Sequence, residues 1–291
     1  MQANLLSFVS IRVHSWLKGW APSWSKGFYL ILALWLGVTG SVESAGTAKQ
    51  KPRTAAEILA AATPEDWRAL DPENTLYLDL PGGRVVIELA PAFAPAHVQN
   101  VKALVREKYF DGLAIVRAQD NYVVQWADPD VEKPALARPI RNARKTLPPE
   151  FDRPFDKKLP FVRLTDGDVY AREVGFSGGF PVARDRRQRR MWLIHTYGMV
   201  GAGRDTAPDS GGGPELYAVI GQAPRHLDRN VTLFGRIVLG IELLSALPRG
   251  PAPMGFYEKP EQRVPIRAMS VAADVPPAER TELEVMKTNG K

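Results

Sequence analysis

The chain has 291 residues, of which 45% are hydrophobic and 24% charged, a formal net charge of +6 and no cysteine. This composition fits a globular protein of one or two domains and excludes a disordered or fibrous one. It also excludes disulfides, thiolate metal sites and cysteine nucleophiles.

Arg12, Lys18 and Lys26 precede an apolar run from Phe28 to Val38, and the small residues Gly40, Ser41, Ser44 and Ala45 follow. A basic flank, a short apolar core and small residues form the order of a secretory signal, expected over 1–44. The run of about eleven residues is short of the roughly 20 that span a bilayer. A cleaved signal implies a periplasmic or secreted protein with no stable membrane span; an uncleaved one implies a membrane-tethered protein.

Residues 45–74 read as a helical lead-in. Thr54 and Glu57 have capping-box spacing ahead of an Ala/Leu-rich stretch, and Thr63-Pro64-Glu65-Asp66 has the residues that start a second short helix. The main domain is expected over 75–271. It opens with an alternating strand, Thr75 to Leu80, a Pro81-Gly82-Gly83 turn and a return strand, Arg84 to Leu89. Pro91 and Pro95 bracket the start of a helix that places Val98, Val101, Leu104 and Val105 on one face. Further strands are expected at 113–117, 122–126, 199–202, 216–220, 231–238 and 265–271, with a second helix near 240–247. Eight strands, short turns and two helices indicate a mainly β fold, a closed eight-stranded antiparallel β-barrel with two capping helices. Residues 128–190 are rich in Pro, Arg and Asp and read as a long loop excursion. Its most charged part, Arg184 to Arg190, reads as a solvated loop or as a contact for anionic lipid or nucleic acid. The polar tail, 272–291, has room for a short helix at 278–287.

The stretch Tyr109 to Asp128 (YFDGLAIVRAQDNYVVQWAD) carries the chemistry. It puts Arg117, Tyr122, Val123 and Gln125 on two adjacent strands. Strict alternation separates Tyr122 from Gln125, so a bulge or loop bend at Tyr122 is required for them to converge.

This stretch resembles the cyclophilin motif in which Phe-His-Arg is followed by an apolar-rich turn and Phe-x-x-Gln. Downstream, Gly198 to Ala202, Pro214 to Ala218 and Leu227-Asp228 with Phe234 to Ile241 resemble that family's later segments in the same order. The resemblance covers about Thr75 to Val271. It implies a peptidyl-prolyl cis-trans isomerase acting on proline-containing polypeptide segments, with Arg117 and Gln125 as catalytic residues. It further implies apolar pocket walls from Tyr122, Val123, Tyr217 and Leu227, flanked by Glu215 and His226, and a substrate backbone held by the backbone of Ala202 and Gly203. The sequence departs from the family at Gly203, Glu215, His226 and Val231, where Asn, Gln, Trp and His are usual. Glu215 puts a carboxylate close to Arg117. A non-catalytic proline-peptide binding module is the alternative.

The chemistry so implied needs no metal or cofactor, and nucleic acid is not an expected partner. Four scattered histidines have no ligand spacing. Gly198-x-x-Gly-x-Gly203 has the wrong spacing for a dinucleotide site. Asp209-Ser210-Gly211-Gly212 resembles a serine-protease nucleophile loop, but His97 falls in a helix, the wrong setting for its base.

Overall fold

The computed structural model describes residues 53–156, 158–251 and 253–288. The expected signal, 1–44, lies outside the described residues. The elements in chain order are helix α1 (Ala55–Ala60), strands β1 (Trp67–Ala69), β2 (Thr75–Leu80) and β3 (Gly83–Leu89), helix α2 (Pro95–Arg106), and strands β4 (Ala114–Ala118) and β5 (Val123–Ala127). Then come β6 (Arg153–Pro154), β7 (Val162–Arg163), β8 (Glu173–Ser177), β9 (Phe180–Asp185) and β10 (Arg190–Leu193). The chain continues with β11 (Met199–Ala202), β12 (Leu216–Val219), β13 (Leu233–Leu239), helix α3 (Glu242–Ser245), β14 (Val264–Pro265), β15 (Ala268–Val271) and β16 (Glu284–Met286).

Nine strands form one antiparallel sheet in the order β14-β4-β5-β12-β11-β13-β3-β2-β15. Its two edge strands are separated in the chain only by Ile266 and Arg267, so one short segment pairs with β4 at one edge and β2 at the other. The strand expected over 265–271 is thus broken in two. The buried Ile266 turns the corner, its amide donating to Leu113 O and its carbonyl accepting from Gly112 N. The alternation read in Thr75 to Leu80 and its return strand holds in register, from Thr75 opposite Glu88 to Leu80 opposite Gly83.

The inner face of the curled sheet and the apolar stripe of α2 share one core. Leu76, Leu78, Ile87, Val124, Trp126 and Phe234 meet Val98, Val101 and Leu104 there. Ala94 caps α2 without a side-chain bond; Glu150, far away in sequence, accepts from the Ala96 and His97 amides instead. A carboxylate at a helix N-terminus satisfies orphan donors and opposes the positive end of the helix dipole.

The excursion is a loop only as far as residue 152. From Arg153 to Leu193 it folds into a second antiparallel sheet, in the order β6-β10-β9-β8-β7. Its charged segment is a hairpin, β9 and β10 joined by a tight turn in which Arg189 has a left-handed φ of 53°. Proline and arginine interrupt the alternation in these strands, although both faces of the sheet bury apolar residues: Val174, Ala183 and Trp192 cluster on one, and the other packs on the main sheet. That face, Phe180, Val182, Met191 and Leu193, packs on the outer face of the main sheet against Val123, Met199, Tyr217, Val219 and Leu233. Two further expectations are corrected. The second lead-in helix is a single 3₁₀ turn, Pro64–Asp66, and the tail forms β16, paired with β1, where a helix was expected. Glu284, Val285 and Met286 find Ala69, Arg68 and Trp67 as ladder partners, which local propensity does not reveal. No helix among the described residues is long and apolar enough to cross a membrane.

Met191 is buried in the layer joining the two sheets, whereas Val169 is 95% exposed. Met191→Ala should lower unfolding free energy by about 2–5 kcal/mol, and Val169→Ala should change it by less than about 0.5 kcal/mol; urea denaturation of both variants measures the difference.

Candidate active site

Arg117 and Gln125 come opposite each other because β4 carries a bulge between Ile115 and Arg117. The irregularity expected at Tyr122 is therefore split in two. The bulge is on β4, and Tyr122 leaves the strand alternation in a turn where Asn121 has a φ of 50° and the Tyr122 amide donates to Gln119 O. Tyr122 thereby reaches the face that Val123 and Gln125 already share.

Arg117 is only 8% exposed. Its Nε donates to Met254 O at 2.6 Å, one Nη to Gln125 Oε1 at 3.0 Å, and the other to Gln119 Oε1. Phe256 lies under the guanidinium at 4.9 Å and Tyr122 at 5.5 Å. A guanidinium has five N–H groups. Three are engaged, so two remain for a bound molecule. Burial lowers the pKa of Arg117, and Tyr122 and Glu215 push it back up; the group stays a cation regardless.

Arg117, Tyr122, Val123, Gln125, Gly203, Glu215, Tyr217 and Leu227 all border one open cavity of about 270 Å³. Two expected residues are placed differently. Ala202 is buried in the inner core, and its amide donates to Thr232 O, while the Gly203 amide donates to Glu215 O. Neither amide is free to donate to a peptide backbone, because both are already spent holding the sheet together. His226 sits outside the cavity lining, on its rim, where it stacks on Tyr122 with ring centroids 5.9 Å apart and an interplanar angle of 17°.

Glu215 does not pair with Arg117 directly. Gln125 stands between them, accepting from Arg117 and donating to Glu215 Oε1. Room for the carboxylate comes from Gly203: a Cβ there would lie 2.3 Å from Glu215 Oε1. The two departures from the family pattern are therefore one steric adjustment. Burial raises the Glu215 pKa, the Asp205 charge adds to the rise, and Arg117 and the Gln125 bond oppose it.

The floor of the cavity is polar underneath. Tyr217, 5% exposed, lies across Gly201 and shares a 2.8 Å hydrogen bond with His195 Nε2. Asp228 Oδ1 accepts from the His195 amide at 2.7 Å and faces Nδ1 at 3.1 Å. Burial holds the His195 imidazole below its ordinary pKa despite Asp228. His195, Asp228, Phe256, Gln119 and Met254 escaped the sequence reading. Phe256 lies in a Pro/Gly-rich loop without periodicity, and only Gly255, left-handed at φ 73° and pressed against Gln119, hints at a close approach.

The protease constellation is absent. His97 Nε2 faces Gly211 O at 3.2 Å, and the Ser210 hydroxyl donates to Ala207 O.

The family model described as cyclophilin type peptidyl-prolyl cis-trans isomerase matches residues 75–271. The chain belongs to this cyclophilin family. A probable peptidyl-prolyl cis-trans isomerase of Brucella suis is 38% identical over 105 residues, 34% of this chain and 51% of that protein. A peptidyl-prolyl cis-trans isomerase of Streptomyces antibioticus is 34% identical over 71 residues, 24% of this chain and 43% of that protein. The chain thus spans about half the length of the curated relatives it matches. The crystal structure of a cyclophilin from Hirschia baltica superposes with a TM-score of 0.65 at 26% identity, covering 82% of this chain and 88% of that one. This cyclophilin therefore keeps the arginine and glutamine of the family motif on adjacent strands and surrounds them with its own Glu215, Gly203 and His226.

Two outcomes follow from the buried polar groups. A carboxyl whose folded pKa is raised stabilises the fold fully below its ordinary value of 4.5, and that contribution is lost as pH rises through the raised value. Glu215→Gln should therefore match the parent at acid pH and become the more stable of the two as pH rises above 4.5, as thermal melts across that range would read. Tyr217→Phe leaves the buried His195 Nε2 without its partner and should cost about 1–3 kcal/mol, seen in denaturant unfolding.

Proposed function

We propose that this cyclophilin is a peptidyl-prolyl cis-trans isomerase. An Xaa-Pro bond rotates slowly because the amide must give up resonance, across a barrier of about 18–20 kcal/mol. In the twisted state the proline nitrogen becomes pyramidal and gains a lone pair. A fixed donor aimed at that nitrogen stabilises the twisted amide more than either planar isomer, which is differential binding of the transition state. The observation that carries this reading is the Arg117 guanidinium, buried, held by three acceptors and left with two N–H groups at a cavity walled by Tyr122, Val123, Tyr217 and Leu227. Its orientation is set before substrate arrives, so no reorganisation is needed as the bond turns. No proton transfer or covalent step is required.

The basic flank and apolar run ahead of the domain support a further reading, that the protein works on polypeptides folding in the periplasm or outside the cell. One observation favours a non-catalytic module that binds proline-containing segments: one of the two Gln125 amide N–H groups is spent on Glu215, which leaves a single donor to orient a substrate carbonyl.

An exchange measurement on a short Ala-Pro peptide separates the two. Wild-type protein should accelerate isomerisation, and Arg117→Ala should lower kcat/KM by about 10²–10³-fold with a much smaller change in peptide affinity. Binding of the peptide by folded wild type without acceleration establishes the module instead.

A further inference from the structure

A second and larger cavity, about 840 Å³, lies between the inserted sheet and the 3₁₀ turn Ala223–Leu227. Seven arginines line it, against three carboxylates, Glu173, Asp185 and Asp228. Those carboxylates do not balance the guanidiniums. Glu173 alone serves Arg184 at 2.5 Å, Arg186 at 2.8 Å and Arg163 at 3.8 Å. Asp228 is shared between Arg225 and His195, and two carboxylates outside the lining, Asp168 and Asp152, pair with Arg225 at 2.5 Å and Arg229 at 2.9 Å, which still leaves the seven arginines in excess. Arg172 and Arg187 are exposed and have no carboxylate partner among the described residues. One terminal nitrogen of Arg225 is buried with no hydrogen-bond partner among the described residues. An unpaired guanidinium N–H in a buried position costs free energy until an acceptor reaches it, and a carboxylate is the acceptor its geometry fits best.

Two guanidiniums are also held in place by aromatic faces, Arg225 at 4.9 Å from the Tyr170 ring and Arg229 at 5.0 Å from Trp192. Stacking fixes the planes, and of their edges Arg225 Nε and Nη1 and Arg229 Nε are bonded to carboxylates, so the remaining N–H groups are left for a ligand.

The place of this cavity decides what fills it. His226 lines it and also stacks on Tyr122 at the rim of the proline cavity, and its neighbour Leu227 lines the proline cavity. One side chain therefore divides the two. An extended polypeptide advances about 3.3 Å per residue, so residues close to a proline held against Tyr122 come within reach of the arginines. The site is a concavity between two elements, which side chains enter and a planar lipid surface does not.

We infer that the arginine cavity binds acidic residues flanking the Xaa-Pro bond, and that the inserted sheet thereby selects acidic polypeptide segments. Its selectivity rests on the isomerase reading; the binding of acidic peptide to the cavity does not.

The test has two arms. In the first, fluorescence polarisation follows a labelled proline-free Asp/Glu hexapeptide. Wild type should bind it with an affinity that falls as salt rises, and Arg172→Glu with Arg187→Glu should weaken binding by about tenfold or more. Both residues are exposed, so folding is retained; Arg172→Gln with Arg187→Gln gives a smaller loss of the same sign. Arg117→Ala should keep the affinity, which separates this cavity from the proline site. In the second arm, the ratio of kcat/KM for an Ala-Pro peptide with acidic flanks to that for the same peptide with lysine flanks should exceed about ten in wild type and fall towards one in the charge-reversed protein. Equal binding of acidic and basic hexapeptides, or affinity indifferent to the double variant, overturns the inference. Tighter, variant-sensitive binding of a single-stranded oligonucleotide or of phosphatidylglycerol vesicles reassigns the cavity and overturns it as well. Acidic binding at the cavity with no isomerisation by wild type refutes the isomerase reading and leaves the binding site standing.

Discussion

Successive side chains on a strand leave by opposite faces of the sheet, and on β5 that rule sends Val124 and Trp126 inward while Val123 and Gln125 come out. The same strand thus supplies the inner core and the candidate site, with no residue available to serve both. The adjacent β12 repeats the pattern, Leu216 and Ala218 inside, Tyr217 and Val219 outside. A sheet curled around one core could leave its outer face to water. Here that face is apolar enough to need a cover, and the inserted sheet provides it for all but the part that forms the cavity. The insertion is therefore a wall of the site and does more than decorate the barrel.

The polar groups of the site form a chain whose members position one another. Met254 O, Gln119 and Gln125 take three of the Arg117 donors, and Gln125 passes the contact on to Glu215. Each link uses a group that would otherwise be costly to bury. Glu215 belongs to this chain only because Gly203 has no side chain to fill the space its carboxylate occupies. Beneath the apolar floor, Tyr217 is tied through His195 to Asp228, so the segment following the inserted sheet also fixes the ring on which a proline would rest.

The same insertion gives the molecule its most uneven charge. Its hairpin arginines meet Arg225 and Arg229 from the turn beside the site, and the carboxylates among and beside them are outnumbered. Ion pairs at partly exposed positions contribute little stability individually, so the imbalance is better understood as a field available to a ligand than as an element of the fold.

How much of this was legible in the sequence follows the range of the interactions. Alternation in Thr75 to Leu89 and the helical stripe from Val98 to Val105 are local patterns, set by the pleat and the helical turn, and both appear where the residues place them; Arg117 and Gln125 lie on the expected adjacent strands, but a bulge in β4 sets them opposite. The capping box at Thr54 and Glu57 is equally local and equally present. What depended on distant partners was not legible. The excursion hid its strands because prolines and charged residues interrupt the alternation, and Phe180, Val182, Met191 and Leu193 find their apolar partners only in distant Tyr217 and Val219. The tail strand exists through Trp67 to Ala69, some 200 residues earlier in the chain. Residue types and spacing by themselves determined most strands of the main sheet and put Arg117 and Gln125 on adjacent ones. Only tertiary structure decided that Glu215 touches Gln125 rather than Arg117, that Phe256 and His195 complete the site, and that arginines from two separate segments face one cavity, because each of these is a contact between side chains that chain order does not bring together.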